Sequence, residues 1–328
     1  MAKETFIMTS LITGGLGFIG SHLARKLLTQ GETVVLFDVA GHSRLIDDIK
    51  DKVKVVQGDL GNWAQVLEAI NQNKVDAIYH TAALLSAAAE ASPLAAYSVN
   101  GNGTFHVLEG ARLFGVKTVM YLSTIATFGP GLPDRVGDDE VQRPTTMYGV
   151  TKVFSERLGE YYHGKFGLNF RGVRLPSVIG PGRGAGGVSA YSSLIIQEPT
   201  AGRRYEVFVD EPARIPLLYV KDAVQALVTL AGVKESQLKR RVYNIEGFSP
   251  TAKELAAAVR QHMPEAKIVF RPVPEMVEIA RSWPRELDDN CARRDWGWQT
   301  EYNLERTVQD FIAQFRAGRN LYDIYAKQ

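Results

Sequence analysis

The stretch Leu11-Ile12-Thr13-Gly14-Gly15-Leu16-Gly17-Phe18-Ile19-Gly20-Ser21-His22 decides the fold. An apolar run ends at Thr13, glycines follow at the spacing Gly14-x-x-Gly17-x-x-Gly20, and an amphipathic helical pattern starts at Phe18. That order predicts a strand, a tight turn and a helix. In such a unit Gly14 lets the chain turn sharply, Gly17 lets backbone N–H groups approach a pyrophosphate, and Gly20 lets the helix pack close to the strand. The free N–H groups of the first helical turn then face the negative charge. Phe18 and Ile19, in that turn, are candidate cofactor contacts.

Outward from this unit the first half of the chain alternates short β-branched runs with longer amphipathic stretches. Strands are predicted at 6–13, 33–38, 53–57, 75–80, 116–123 and 169–175. Helices are predicted at 18–29, 62–71, 94–114 and 146–166. Alternating β and α with nearly continuous apolar strands reads as an α/β protein: a Rossmann doubly wound parallel sheet. After Leu175 the pattern loosens. Residues 177–188 carry Gly180, Gly182, Gly184, Gly186 and Gly187 and read as one long loop without an element of its own. Short strands near 205–209 and 241–245 and helices near 189–196, 221–231, 251–262 and 304–316 follow. We therefore expect a dinucleotide-binding domain over 1–175 and a smaller C-terminal substrate-binding cap over 176–328, with chain crossing back to the sheet.

Composition narrows the function. Lys and Arg number 38 against 36 Asp and Glu, a net charge of +2, which leaves no electrostatic footprint for nucleic acid or an anionic membrane. One cysteine, Cys291, excludes an internal disulfide and a cysteine-rich zinc site. No histidine pairs at helical spacing with another ligand, so no metal is expected. The N-terminal residues lack a signal-peptide pattern, and no membrane span is read. The expected setting is cytoplasmic.

Asp38 ends the second predicted strand, 24 residues after Gly14. A carboxylate there accepts the ribose hydroxyls of NAD and repels the 2′-phosphate of NADP. Arg44, six residues on, is the competing phosphate ligand; Asp38 argues for NAD. Asp59 and Leu60, after the third strand, are placed to meet the adenine edge, and Ala82, after the fourth, is a further candidate cofactor contact. Asp59 also reads as a helix-capping aspartate.

Tyr148 and Lys152 are four residues apart on a predicted helix and share a face. An ammonium beside a phenol stabilises phenolate, which makes Tyr148 a candidate acid/base for interconverting an alcohol and a ketone. Tyr161 and Lys165 repeat the spacing, but only Tyr148 opens its helix near the carboxyl edge of the sheet, where ligands sit. Thr124, at the end of the fifth strand, is the candidate hydroxyl for orienting the reacting oxygen, with Ser123 as the alternative.

Gly14-x-x-Gly17-x-x-Gly20, Asp38, Asp59, Thr124, Tyr148-x-x-x-Lys152 and Asn100-x-x-Gly103-Thr104 together resemble the extended short-chain dehydrogenases/reductases, the NAD-dependent epimerase/dehydratase family. The resemblance spans the chain. It implies that Lys152 also holds the nicotinamide ribose and that Asn100 organises the central helix on the cofactor side. Within the family, residues 79–87, 186–191, 282–289 and 295–298 are similar to L-threonine 3-dehydrogenases. That likeness implies substrate contacts from Ser86 and Trp283. Ser189, beside Val188, stands where those enzymes carry a Thr-Thr pair, and Arg183 joins it as a candidate contact for a carboxylate or hydroxyl. The expected activity is NAD-dependent oxidation of a secondary alcohol in a small hydroxylated acid, an L-threonine-like amino acid or a sugar acid, by a homodimer joined through helices 94–114 and 146–166. The alternative is a nucleotide-sugar epimerase that uses bound NAD.

Overall fold

The computed structural model describes residues 7–323. Residue 6, at the start of the first predicted strand, lies outside the described residues. The strands, in chain order, are β1 Thr9–Thr13, β2 Thr33–Asp38, β3 Lys54–Gln57, β4 Ala77–His80, β5 Thr118–Thr124, β6 Arg135–Val136, β7 Phe170–Leu175, β8 Ser177–Ile179, β9 Tyr205–Val207, β10 Leu217–Tyr219, β11 Val242–Asn244, β12 Ile268–Phe270 and β13 Glu286–Leu287.

Seven of them form one parallel sheet in the order β11-β7-β5-β4-β1-β2-β3. The chain leaves β1 towards β2 and β3 on one side and returns to β4, β5, β7 and β11 on the other. The switch point therefore falls between β1 and β4, and a ligand crevice opens beyond their carboxyl ends. Strand residues alternate between faces. Ile12, Leu36, Tyr79 and Met120 pack into one hydrophobic cluster, while Leu11, Phe37, Ile78 and Tyr121 pack into another. The first cluster runs on into Ile195, Val224, Val259 and Phe311, so a single body of apolar packing joins residues on both sides of 175. Three two-stranded parallel pairs, β8 with β10, β9 with β12 and β6 with β13, organise the remainder.

Two predictions need correction. Residues 177–188 are not a bare loop: Ser177–Ile179 pairs with β10, because an apolar Val178-Ile179 has a buried neighbour to cover it. The predicted helix 94–114 is not uniform either. It is built from Pro93–Ala96, a wider π-helical turn at Tyr97–Asn102 and Gly103–Leu113. The wide turn coincides with Asn100, whose side chain is buried and bonded away from the helix. Such turns break the regular ladder where a side chain is used elsewhere.

Candidate active site

The glycine turn has the geometry its spacing predicts. Gly14 has φ +68°, and a Cβ built there would lie 2.8 Å from the Cα of Ala82. A Cβ on Gly20 would lie 2.3 Å from the Gly14 carbonyl oxygen, so only glycine lets the helix Phe18–Thr29 start this close to β1. Gly17 is exposed and caps that helix without a side-chain hydrogen bond, which leaves first-turn N–H groups for an anion. Phe18 and Ile19, half-buried, lie just behind. Asp38, at the end of β2, is fixed beside the turn: its carboxylate accepts from Leu16 N at 3.1 Å and Ala40 N at 3.1 Å. Arg44 reaches instead to the carbonyl of Asp323, 3.3 Å away.

The adenine side is more mixed. Asp59 is exposed and accepts from Gly61 N at 2.8 Å in a local turn. The next helix, Trp63–Gln72, is capped by Asn62, not Asp59. Leu60 is buried in the second cluster, and its carbonyl bonds His106 Nδ1 at 2.7 Å. Asn100 spends its amide within the protein: Oδ1 accepts from Leu84 N at 2.8 Å, and Nδ2 donates to Leu84 O at 3.0 Å and Thr151 Oγ1 at 3.1 Å. Asn100 thus ties the segment after Ala82 to the helix that carries Tyr148. Glu90 ties the far end of that segment, accepting from Met147 N at 2.6 Å. Ser86 opens the short helix Ser86–Ala91 between these two anchors and is exposed.

The helix Met147–Phe166 begins at Thr146, whose side chain accepts from Gly149 N, and stops at Gly167 in the left-handed conformation. Tyr148 therefore stands in its first turn, at the carboxyl edge of the sheet. Burial pushes its phenol up to about 12, and the hydrogen bond with the Thr124 hydroxyl pulls against that rise. Lys152 is 2% exposed. Its Nζ donates to Leu122 O at 2.7 Å and lies 4.7 Å from the Tyr121 ring centre and 5.7 Å from that of Tyr148. Burial lowers Lys152 to about 7, while Glu156 acts the other way. This corrects the expectation that Lys152 simply biases Tyr148 to phenolate. In the protein as folded, desolvation is the largest cause of both shifts, and Lys152 is the member that titrates near neutrality.

The structure separates Thr124 from Ser123. Thr124 meets Tyr148, whereas the Ser123 hydroxyl donates to the buried carboxylate of Glu156. Tyr161 lies on an exposed part of the same helix, away from these groups. His80 is buried between Thr13 Oγ1 at 2.7 Å and Thr104 Oγ1 at 2.9 Å. Among the described residues no group of three His, Cys, Asp or Glu is placed to hold a metal ion.

Beyond β7 the chain brings Arg183 and Ser189 together. Arg183 Nη2 donates to Ser189 Oγ at 2.7 Å, and Nε donates to Val178 O at 3.0 Å. Burial pushes this guanidinium down to about 10. The helix Pro274–Arg281 packs against the turn Val188–Ala190 and leads into Trp283, which is half-buried against the first hydrophobic cluster. Sequence reasoning passed over Glu156. The signal was available, since Glu156 continues the Tyr148, Lys152 spacing by one more turn.

The sequence model of the NAD dependent epimerase/dehydratase family matches residues 10–245. The chain belongs to that family. As a family member it is an enzyme of the extended short-chain dehydrogenase/reductase type, with a nicotinamide dinucleotide as its cofactor. The uncapped helix at Gly17, the close approach allowed at Gly14 and the carboxylate of Asp38 fit such a dinucleotide. The mitochondrial L-threonine 3-dehydrogenase of Bos taurus is 34% identical over 306 residues, covering 92% of this chain and 81% of that protein. The holo form of a GalE-like L-threonine dehydrogenase from Cupriavidus necator superposes with a TM-score of 0.88 at 32% identity, covering 94% of this chain and 99% of that one. L-threonine dehydrogenase from Phytophthora infestans gives 0.86 at 36% identity, covering 94% and 99%. A UDP-glucose 4-epimerase from Thermotoga maritima, at 23% identity, shares the fold. No helix among the described residues is long and apolar enough to cross a membrane.

Proposed function

We propose that this enzyme uses NAD to oxidise the secondary alcohol of a small hydroxylated acid, with L-threonine as the first candidate. The observation that carries the reading is Tyr148 hydrogen-bonded to Thr124 and backed by Lys152, at the carboxyl edge of a sheet whose other loops fit a dinucleotide. Tyr148 takes the hydroxyl proton of the substrate, and Thr124 orients the same oxygen. Lys152 shares its charge with the phenolate and holds the ribose beside it. The bound nicotinamide supplies the hydride acceptor. Asp38 favours NAD over its 2′-phosphorylated form, because two carboxylate oxygens suit a diol and repel a phosphate.

Arg183 supports an acidic substrate. Its guanidinium is half-buried, and no carboxylate of the described residues pairs with it. A substrate carboxylate completes it, with Ser189 as the neighbouring hydroxyl. Ser86 and Trp283 close the site from its two sides. In this reading residues 1–175 bind the cofactor and 176–328 form the substrate cap. A homodimer covers the exposed apolar side chains of Leu94, Tyr97, Phe105, Val150 and Phe154, and the enzyme works in the cytoplasm. One similar structure carries the description of a monomeric L-threonine 3-dehydrogenase, so the size of the particle in solution is part of the test.

The test is a screen for NAD reduction across L-threonine, D-erythronate, uronates and UDP-sugars. Net NADH formation with L-threonine or another small hydroxy acid is expected. Interconversion of UDP-sugars with retained dinucleotide and no net NADH overturns the reading in favour of an epimerase.

A further inference from the structure

Three consecutive residues of β5 are each held by one residue of the helix Met147–Phe166, at successive turns. Thr124 meets Tyr148, Leu122 O accepts from Lys152 Nζ, and Ser123 Oγ donates to Glu156. The first two rungs belong to the reacting pair. The third has no part in the reading above. Glu156 is 0% exposed, and a buried carboxylate is retained only where it is paired and fully bonded. Arg174, on β7, supplies the pair: Nη2 donates to Oε2 at 2.8 Å and Nε to Oε1 at 3.0 Å. Gln142 Nε2 adds a bond to Oε2 at 2.9 Å. Arg174 also donates to Asp138 O at 2.9 Å, and Asn244 N donates to Asp138 Oδ1 at 2.6 Å. The network thus spans β5, the catalytic helix, β7 and β11.

We propose that Glu156 is a positioning residue for the reaction, fixing the register of the catalytic helix on β5 and setting a counter-charge behind Lys152. The inference rests on the assignment of Tyr148 and Lys152 as the reacting pair. A carboxylate that served packing alone has no reason to share a face with Lys152 and to grip the residue preceding Thr124. The groups around the Lys152 ammonium are few. From β5 there is the Tyr121 ring, and from β4 there is His80, held neutral by burial. On its own helix are Tyr148 and Glu156, and Arg174 reaches the cluster from β7, bonded to Glu156. Glu156 is the one anion among them, so its removal destabilises the Lys152 ammonium.

The test follows Lys152 directly, by NMR of protein labelled at lysine Cε, with the signal assigned through Lys152→Met. In Glu156→Gln the Lys152 midpoint is expected to fall by about half a pH unit or more. In the same variant kcat for the preferred hydroxy acid is expected to fall about tenfold with KM nearly constant, and Glu156→Asp is expected to recover part of it. Should Glu156→Gln fail to fold for want of a partner for Arg174, the double variant Glu156→Gln/Arg174→Gln removes both charges and leaves no orphan. Its Lys152 midpoint is also expected to fall. A folded variant that loses thermal stability with an unchanged Lys152 midpoint and unchanged kcat overturns the proposal. If the wild-type protein reduces NAD with none of the hydroxy acids, the functional reading fails, while the NMR titration still decides the role of Glu156.

Discussion

Lys152 Nζ lies 5.7 Å from the centre of the Tyr148 ring, close enough for each to feel the other's proton. Burial holds Lys152 at about 7 and Tyr148 at about 12, so the pair loses its first proton near neutrality. Oxidation of an alcohol needs the pair one proton short, and reduction of the ketone needs it full. For oxidation kcat/KM is therefore expected to rise with pH through about 7 and then level off, and for reduction to fall over the same range. Lys152→Met removes this limb, and what activity remains rises only at high pH, where Tyr148 titrates alone. Rate profiles in both directions check the sign.

Tyr148→Phe deletes the proposed proton acceptor while keeping the ring against Lys152. A positioned general base contributes about 10²–10⁴-fold, so kcat is expected to drop by about three orders of magnitude with the fold intact. Thr124→Val is expected to cost less, about tenfold, since Tyr148 still faces the substrate oxygen. Ser123→Ala tests the other rung: its hydroxyl grips Glu156 and not the reacting oxygen, so a smaller loss than that of Thr124→Val is expected. Steady-state kinetics on the three variants, with circular dichroism to confirm folding, separate these roles.

Much of this site was legible because its signals are local. Gly14, Gly17 and Gly20 mark a turn within one stretch of twelve residues, and Tyr148 and Lys152 meet through one helical turn. Asp38 was placed by the end of a strand, which a β-branched run marks well. What escaped depends on distant partners. Nothing near Val178 signals that it pairs with Leu218, so β8 read as loop. The use of Ser123 was hidden in the same way, since Glu156 and Arg174 come from elements 33 and 51 residues further on. The pKa order within the reacting pair was hidden too, because sequence spacing gives proximity but not desolvation.

His80 makes stability depend on pH. Thr104 donates its proton to Asn100 O at 2.6 Å, so it accepts from His80 Nε2–H, and Nδ1 accepts from Thr13. The ring is therefore neutral, and burial lowers it from 6.5 to about 3. The unfolded chain binds this proton first, so the contribution is full above about 6.5 and is lost as pH falls towards 3. His22, bonded to Pro181 O and lowered to about 4, acts in the same sense. Within the window each ring is expected to remove about 1.4 kcal/mol of stability per pH unit. Urea unfolding at successive pH values checks this. His80→Gln is expected to flatten the slope by about half, leaving the share of His22.

The proposed preference for NAD rests on Asp38. Its carboxylate is already oriented by Leu16 N and Ala40 N, so in the proposed reading a fixed charge meets the adenosine ribose. Asp38→Ala is expected to raise KM for NAD by about ten- to a hundredfold, the worth of hydrogen bonds to a charged group. With the repulsion gone, KM for NADP is expected to fall or stay level, and the ratio of the two kcat/KM values narrows. Comparing that ratio between wild type and variant checks the assignment.

Arg183 and Ser189 test the substrate class. The 2.7 Å bond between them fixes one edge of the guanidinium, and Val178 O holds Nε. If the substrate carboxylate docks on this group, Arg183→Ala raises its KM by about a hundredfold, with kcat affected less. Arg183→Lys is expected to recover little, because a single ammonium cannot hold Ser189, Val178 O and a carboxylate at once. The decisive comparison uses the methyl ester of the same hydroxy acid. Wild type should handle the ester about as poorly as Arg183→Ala handles the acid, and the variant should no longer tell acid from ester. A variant that still prefers the acid by the wild-type margin places the carboxylate elsewhere in the cap.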